Sequence, residues 1–379
     1  MMRRRALLFA EDPGAANYCL GLPEALAARG IDSVLAAAGE AVRYLKDRDV
    51  TAQRLGDDAR EALRGLRPNL VAAGTAENPH TLGLRLIAEA RRIGTPSVGL
   101  VDSLANAAFR FRGPGRDPLG YAPDHLVVPD ENTGTAYRDL GYPSENITVC
   151  GHPHYDRMVR RSAELAREGR EAIRRTVLPR APLDRPVVVF AAELSCGLDP
   201  GQYRKSAAYT LQGAGAATGR TEIVMEELLM ASEKLARRPY LVLRLHPKND
   251  VADFGPLAGE FDALSAGGDP SRLVYASDLV VGMTSMLLAE AALMGVPTLS
   301  VVPREAERAW LPSVVSDAIR CAWSREGVER ALAGMLDGTP PPFSRPAIML
   351  HAAERVAALL DARSAPGQAQ PPEAGDEHA

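Results

Sequence analysis

The chain has 379 residues, a formal net charge of −4 with neutral histidines, 46% hydrophobic and 24% charged residues. That length exceeds one ordinary core and makes two domains of roughly 150–200 residues the starting expectation. The mildly acidic balance argues against general nucleic-acid binding. No window approaches about 18 uninterrupted apolar residues, and the run after Arg3-Arg4-Arg5 is too short for a signal peptide, so no membrane span is expected, with peripheral contact left open. Cys19, Cys150, Cys196 and Cys321 lie far apart with no C-x-x-C pair. This points away from a zinc site or a disulfide framework and toward a reducing, cytoplasmic setting.

Ala6–Ala10 reads as a first buried strand, followed by the polar loop Glu11-Asp-Pro-Gly-Ala-Ala-Asn17 opening a helix. Gly14 in it permits close approach of a ligand or of backbone. Strands are predicted at Ser33–Ala37 and Asn69–Ala73, the latter ending in the polar loop Gly74-Thr-Ala-Glu-Asn-Pro-His80. A helix over Thr81–Arg92 leads to the strand Ser97–Val101, then Asp102-Ser103 and Arg110-Phe111-Arg112. A strand at Asp124–Val128, a helix near Thr133–Leu140 and the segment Ile147–His154 close the half. Strands alternating with helices predict a parallel sheet covered on both faces.

From Arg157 to Pro182 the chain reads as a charged helix and linker, and Val187–Ala191 as the first strand of a second domain. Its loop, Glu193 to Asp199, is long and polar, and Gly213–Gly219 reads as a flexible insert or lid ending in Arg220-Thr221. A helix over Glu222–Arg237 precedes the strand Tyr240–Arg244, which runs into Leu245-His246-Pro247-Lys248. Leu279–Val281 is a short buried strand closed by Gly282. Thr284 or Ser285 caps a helix through Met294, and Gly295 with Pro297 ends it before the strand Thr298–Val302. Glu290 is out of place in Met-Leu-Leu-Ala-Glu-Ala-Ala-Leu-Met, since a lone buried carboxylate costs several kcal/mol unless paired. It is read either as a side chain that reaches solvent or a neighbouring Arg, or as a ligand for ribose hydroxyls. Arg320–Trp323 and Glu326–Leu336 supply a last strand and helix, Pro340-Pro-Pro a break, and Pro346–Ala362 a final helix. Ser364–Ala379 has little to bury and reads as disordered.

Ser285-x4-Glu290-Ala291 with Gly295-Val-Pro297 resembles the donor-nucleotide site of GT-B-fold glycosyltransferases, of the non-hydrolysing UDP-N-acetylglucosamine 2-epimerases and of glycerophosphate transferases. Pro123-Asp-His-Leu-Val-Val128 and Gly151-His-Pro-His-Tyr-Asp156 are similar to the strand and hinge of the same group. The epimerases' His-x-Glu-Ala-Gly-Leu-Arg signature is replaced by Leu100-Val-Asp-Ser-Leu-Ala-Asn106. The resemblance implies two doubly wound, Rossmann-like α/β domains facing a cleft. These are residues 1–155 and 186–345, joined by a linker over 156–185, with a helix at 346–363 crossing back to the first domain.

The same resemblance implies a glycosyltransferase using a nucleotide diphosphate sugar, UDP-type, with no further cofactor. With no Asp-x-Asp metal motif expected at the site, a metal-independent mechanism is the simpler reading. An epimerase, a polyol-phosphate transferase or an inactive nucleotide-binding relative is the alternative. On this reading the donor is held by Arg244, His246, Lys248, the amides of Thr284 and Ser285, Glu290, Glu193 and Arg220. The acceptor meets Asp12, Asn17, Thr75 and Arg110. Asp102 is the first choice for general base, with Glu11 and Glu77 as rivals. Oligomeric state is left open.

Overall fold

The computed structural model describes residues 4–194, 204–215, 217–311, 313–316, 318–337 and 345–365. Two parallel sheets organise it. The first contains β1 (Arg5–Ala10), β2 (Asp32–Ala37), β3 (Gln53–Arg54), β4 (Leu70–Gly74), β5 (Ser97–Leu100), β6 (His125–Val128) and β7 (Ile147–Val149), in the order β3-β2-β1-β4-β5-β6-β7. The second contains β8 (Val187–Ala191), β9 (Tyr240–Arg244), β10 (Ala263–Ser265), β11 (Leu279–Gly282), β12 (Thr298–Val301) and β13 (Arg320–Ala322), in the order β10-β9-β8-β11-β12-β13.

The apolar strands explain this layering. Alternate side chains of a strand point to opposite faces, so a run apolar at every position needs cover on both. In β1, Ala6, Leu8 and Ala10 join one core while Leu7 and Phe9 join another on the opposite face. In β8, Val188 and Phe190 go one way, Val187 and Val189 the other. Strand order reverses between β1 and β4 and between β8 and β11, and in such sheets the crevice for ligands lies beyond the strands' carboxyl ends at that reversal. The two sheets present these ends to one cleft.

The stretch expected as a charged helix and linker is two helices, Pro153–Glu168 and Arg170–Val177. Met158, Leu165 and Ile173 bury their apolar faces in the core of the second sheet. The final helix begins at Ala352, later than expected, after His351 in a left-handed conformation. It crosses to the first domain, where Ala353, Val356, Ala357 and Leu360 join the core behind β1. Arg4 and Arg29 both pair with Asp361, which fastens its far end. The Gly213–Gly219 segment is anchored where it is described. Glu227 accepts from the amides of Gln212 and Gly213, Glu226 from that of Ala214, and Gly219 bridges to Arg204. Residues 195–203, with Cys196, the prolines at 340–342 and the tail from 366 lie outside the described residues. Among the described residues no helix is long and apolar enough to cross a membrane.

Candidate functional site

The cleft between the sheets has a volume of about 680 Å³. From the first domain it is lined by Glu11 and Asp12 after β1, by Gly14 and Asn17 on the helix Pro13–Cys19 that follows at once, by Thr75 and Glu77 after β4, and by Asp102 and Arg110. From the second come Glu193, Arg244, His246, Lys248, Ser285 and Glu290. Thirteen residues proposed from sequence thus meet in one space, and Thr284 and Arg220 do not line it.

On the first-domain wall the polar groups are interlocked. Arg110, 6% exposed, donates through Nη1 to Asp102 Oδ1 at 2.8 Å and to Thr75 Oγ1 at 2.8 Å, and through Nε to the Ala105 carbonyl. Thr75 Oγ1 also lies 3.3 Å from Asp102 Oδ1. Gly14 allows this packing, because a Cβ there would sit 2.1 Å from Asp102 Oδ2. Glu11 accepts through Oε2 from the Leu82 amide at the start of the helix Leu82–Arg92, and burial raises its pKa above the ordinary carboxylate value. Glu77 accepts from Asn106 Nδ2 at 2.9 Å, and Asn17 Oδ1 from the Tyr44 hydroxyl at 3.0 Å.

On the second-domain wall, Arg244 ends β9 and donates to Ser265 Oγ and to the Gly268 carbonyl. Burial, with Arg48 nearby, lowers its pKa. His246 Nδ1 accepts from the Lys248 amide, and burial, then the Lys248 ammonium, pull this imidazole down to about 4. It is therefore an uncharged hydrogen-bonding group at neutral pH. Lys248 pairs with Asp12 at 2.5 Å and Arg43 donates to the Pro247 carbonyl, so the two domains touch at the cleft rim. These exposed contacts are worth under about 1 kcal/mol each.

Ser285 caps the helix Met286–Leu293 through Leu287 N, and Gly295, at φ +80°, terminates it. Glu290 in its second turn is 7% exposed, and Oε1 lies 2.7 Å from His154 Nε2. Its partner is a histidine in the first turn of the helix Pro153–Glu168, not the arginine considered from sequence. No description of the Gly151–Asp156 hinge alone could reveal that contact, because the residues are 136 apart.

Two expectations need correction. The amides of Thr284 and Ser285 do not lie open for phosphate. Glu193 Oε1 accepts from Met283 N at 3.1 Å, Thr284 N at 2.6 Å and Ser285 N at 2.6 Å, and its Oε2 accepts from Thr284 Oγ1 at 3.0 Å. Arg220 is not a free donor-binding cation either. It is 2% exposed and held between the half-buried Glu193 at 2.9 Å and the buried Glu307 at 2.6 Å, so its charge is compensated from both sides. Conversely, the sequence reading missed Tyr44 and Arg48, both of which line the cleft. The Arg48 guanidinium sits 3.6 Å from the Tyr44 ring centroid. Asp47 and Asp49 flank Arg48 in an Asp-x-Asp spacing, but neither lines the cleft.

Acid should loosen this structure. His246 and the His125 ring, the latter through burial and then Arg363, are both held at about 4, against 6.5 for a free imidazole. Because the folded values are depressed, the unfolded chain takes up protons first as pH falls. The histidine contribution is intact above about 6.5 and is lost progressively toward about 4. Glu11 and Asp156, raised by burial, oppose part of it. Urea midpoints measured across this window should fall, and a flat profile would contradict the assignment.

No family model and no curated protein matches the sequence. Solved structures match in fold. The UDP-GlcNAc 2-epimerase from Neisseria meningitidis bound to UDP-GlcNAc superposes with a TM-score of 0.65 at 11% identity, over 94% of this chain and 100% of that one. The Methanocaldococcus jannaschii UDP-GlcNAc 2-epimerase in complex with UDP-GlcNAc and UDP gives 0.65 at 12% identity, over 94% and 99%. The UDP-N-acetylglucosamine 2-epimerase from Rickettsia bellii gives 0.59 at 14%, over 96% and 95%. The fold is therefore GT-B-like, with two doubly wound domains about a cleft and a C-terminal helix crossing back.

Proposed function

We propose that the chain is an enzyme acting on a UDP-type nucleotide sugar, with C2 epimerisation of a UDP-N-acetylhexosamine as the best-supported reaction. The observation that carries this is the cleft's polarity. One wall presents Arg244, Lys248, neutral His246 and the buried Glu290 carboxylate, and the other presents Glu11, Glu77 and Asp102. The first set suits a nucleoside diphosphate, with Glu290 on ribose hydroxyls and the cations on phosphate. The second suits proton transfer at a sugar ring. Glu11, whose proton affinity burial raises, is assigned proton transfer, and Asp102, fixed by Arg110, the orientation of a hydroxyl. The end-to-end fold match to epimerases bound to UDP-GlcNAc, or to UDP-GlcNAc and UDP, supports this choice.

Glycosyl transfer to an acceptor hydroxyl is the second reading. It is favoured by the segment Leu100-Val-Asp-Ser-Leu-Ala-Asn106, which stands where the resembling epimerases carry their His-x-Glu signature. Incubation with UDP-N-acetylglucosamine in deuterium oxide separates them. Deuterium entering C2 without an acceptor indicates epimerisation, whereas UDP release that depends on an added glycan acceptor indicates transfer. Calorimetry showing no binding of UDP, GDP or CDP at millimolar concentration would end both.

A further inference from the structure

The carboxylate of Glu193 is surrounded by donors as a bound anion would be. It accepts from three successive backbone amides, Met283, Thr284 and Ser285, from Thr284 Oγ1, and from Arg220 Nη1 at 2.9 Å. Converging amides of this kind form an anion-binding concavity, and a charged acceptor satisfies them better than a neutral one. Behind it, Arg220 is held in turn by Glu307, itself 1% exposed and also paired with Arg304. The loop between β11 and the helix Met286–Leu293 is thus organised around a charge that the chain supplies from the end of β8. The same loop delivers Ser285, Met286 and Leu287 to the cleft.

We propose that Glu193 is a positioning residue for the nucleotide site: it serves as the built-in anion of the 283–285 amide cradle. In that place it holds the loop so that Ser285 and the start of the following helix face the ligand. The cradle is consequently no phosphate subsite, and the diphosphate is left to Arg244, Arg48 and Lys248. This rests on the nucleotide-sugar reading for its ligand, but not for the cradle itself. Emptied of its side chain, the cradle becomes a site for a small carboxylate such as formate.

The test is anion rescue of Glu193→Ala. The variant should melt below the wild type, and sodium formate should restore much of the loss, whereas sodium chloride at equal ionic strength should not. Its affinity for UDP should be roughly tenfold weaker, the size of one lost charge-assisted bond, and should recover with formate. Formate acting no better than chloride would overturn the cradle. Wild-type UDP affinity in the variant without formate would overturn the positioning role. A wild-type protein that fails to bind UDP, beside a variant that formate specifically stabilises, would reject the nucleotide ligand while leaving the cradle standing. Glu193→Gln covers the case in which the alanine variant does not fold. Its one remaining acceptor fills the space, so UDP affinity should weaken and formate should have no specific effect. Specific rescue of the glutamine variant, or unchanged affinity in it, would count against the proposal.

Discussion

Replacing Arg110 by methionine is expected to destabilise the protein by about 3–5 kcal/mol, the usual cost of stranding one half of a buried ion pair. Arg110 gives Asp102 its charged partner, and Asp102 is itself 9% exposed. Without the guanidinium, Thr75 Oγ1 at 3.3 Å is the hydroxyl left beside that carboxylate, a weak substitute for a charge. Methionine approximates the length of the arginine stem, so lost packing contributes less than the lost charge. The double variant Arg110→Met with Asp102→Asn should recover a substantial part, because no charge is then left buried alone. Urea unfolding of the wild type, both single variants and the double variant completes a thermodynamic cycle. Additive losses, with no coupling between the two sites, would show that the pair does not hold this wall together. Asp102→Asn alone should also slow turnover if the carboxylate orients a sugar hydroxyl.

The fold was legible because its signals are local and mutually consistent. Uniformly apolar runs such as Ala6–Ala10 and Leu279–Val281 fit strands covered on both faces, and Gly295 stops its helix through a left-handed residue. The edge strands β3 and β10 escaped notice. Gln53–Arg54 is polar and exposed, and Ala263–Ser265 is three residues of mixed character, so neither carries a period. Within the site, Glu290 announced itself as a carboxylate in an apolar helix, while His154 did not announce itself as its partner. Glu193 and Arg220 were drawn toward the ligand for a similar reason. Charged residues beside a strand end look like binding groups until their distant partners are known. Glycine-rich sequence around Gly213 suggested a lid, yet the two consecutive glutamates Glu226 and Glu227 pin the described part of it. The misses at Glu290, Glu193, Arg220 and Gly213 concern tertiary contacts, which local pattern cannot encode.

The largest effect on ligand binding is expected at Glu290. Glu290→Gln keeps the side chain's shape and an acceptor for His154 Nε2, now 2.7 Å from Oε1. Stability should therefore move by no more than about 1 kcal/mol, the net worth of an ordinary hydrogen bond. If the carboxylate holds ribose hydroxyls, losing its charge should cost about 1.5–3 kcal/mol of binding, so UDP affinity should fall roughly ten- to a hundredfold. His154→Leu makes the opposite change. It leaves the buried Glu290 carboxyl without its partner, so stability should fall by several kcal/mol, of the order seen when buried pairs are broken. UDP should then raise the melting temperature of this variant more than that of the wild type, because ribose hydroxyls would satisfy a carboxylate that nothing else does. The two variants thus shift in opposite senses, one losing affinity with stability retained and the other losing stability that ligand restores. Paired melting and calorimetric titrations of both report the pattern. Should Glu290→Gln bind UDP as tightly as the wild type, Glu290 would be a hinge residue belonging to His154, and the ribose would have to be placed elsewhere in the cleft.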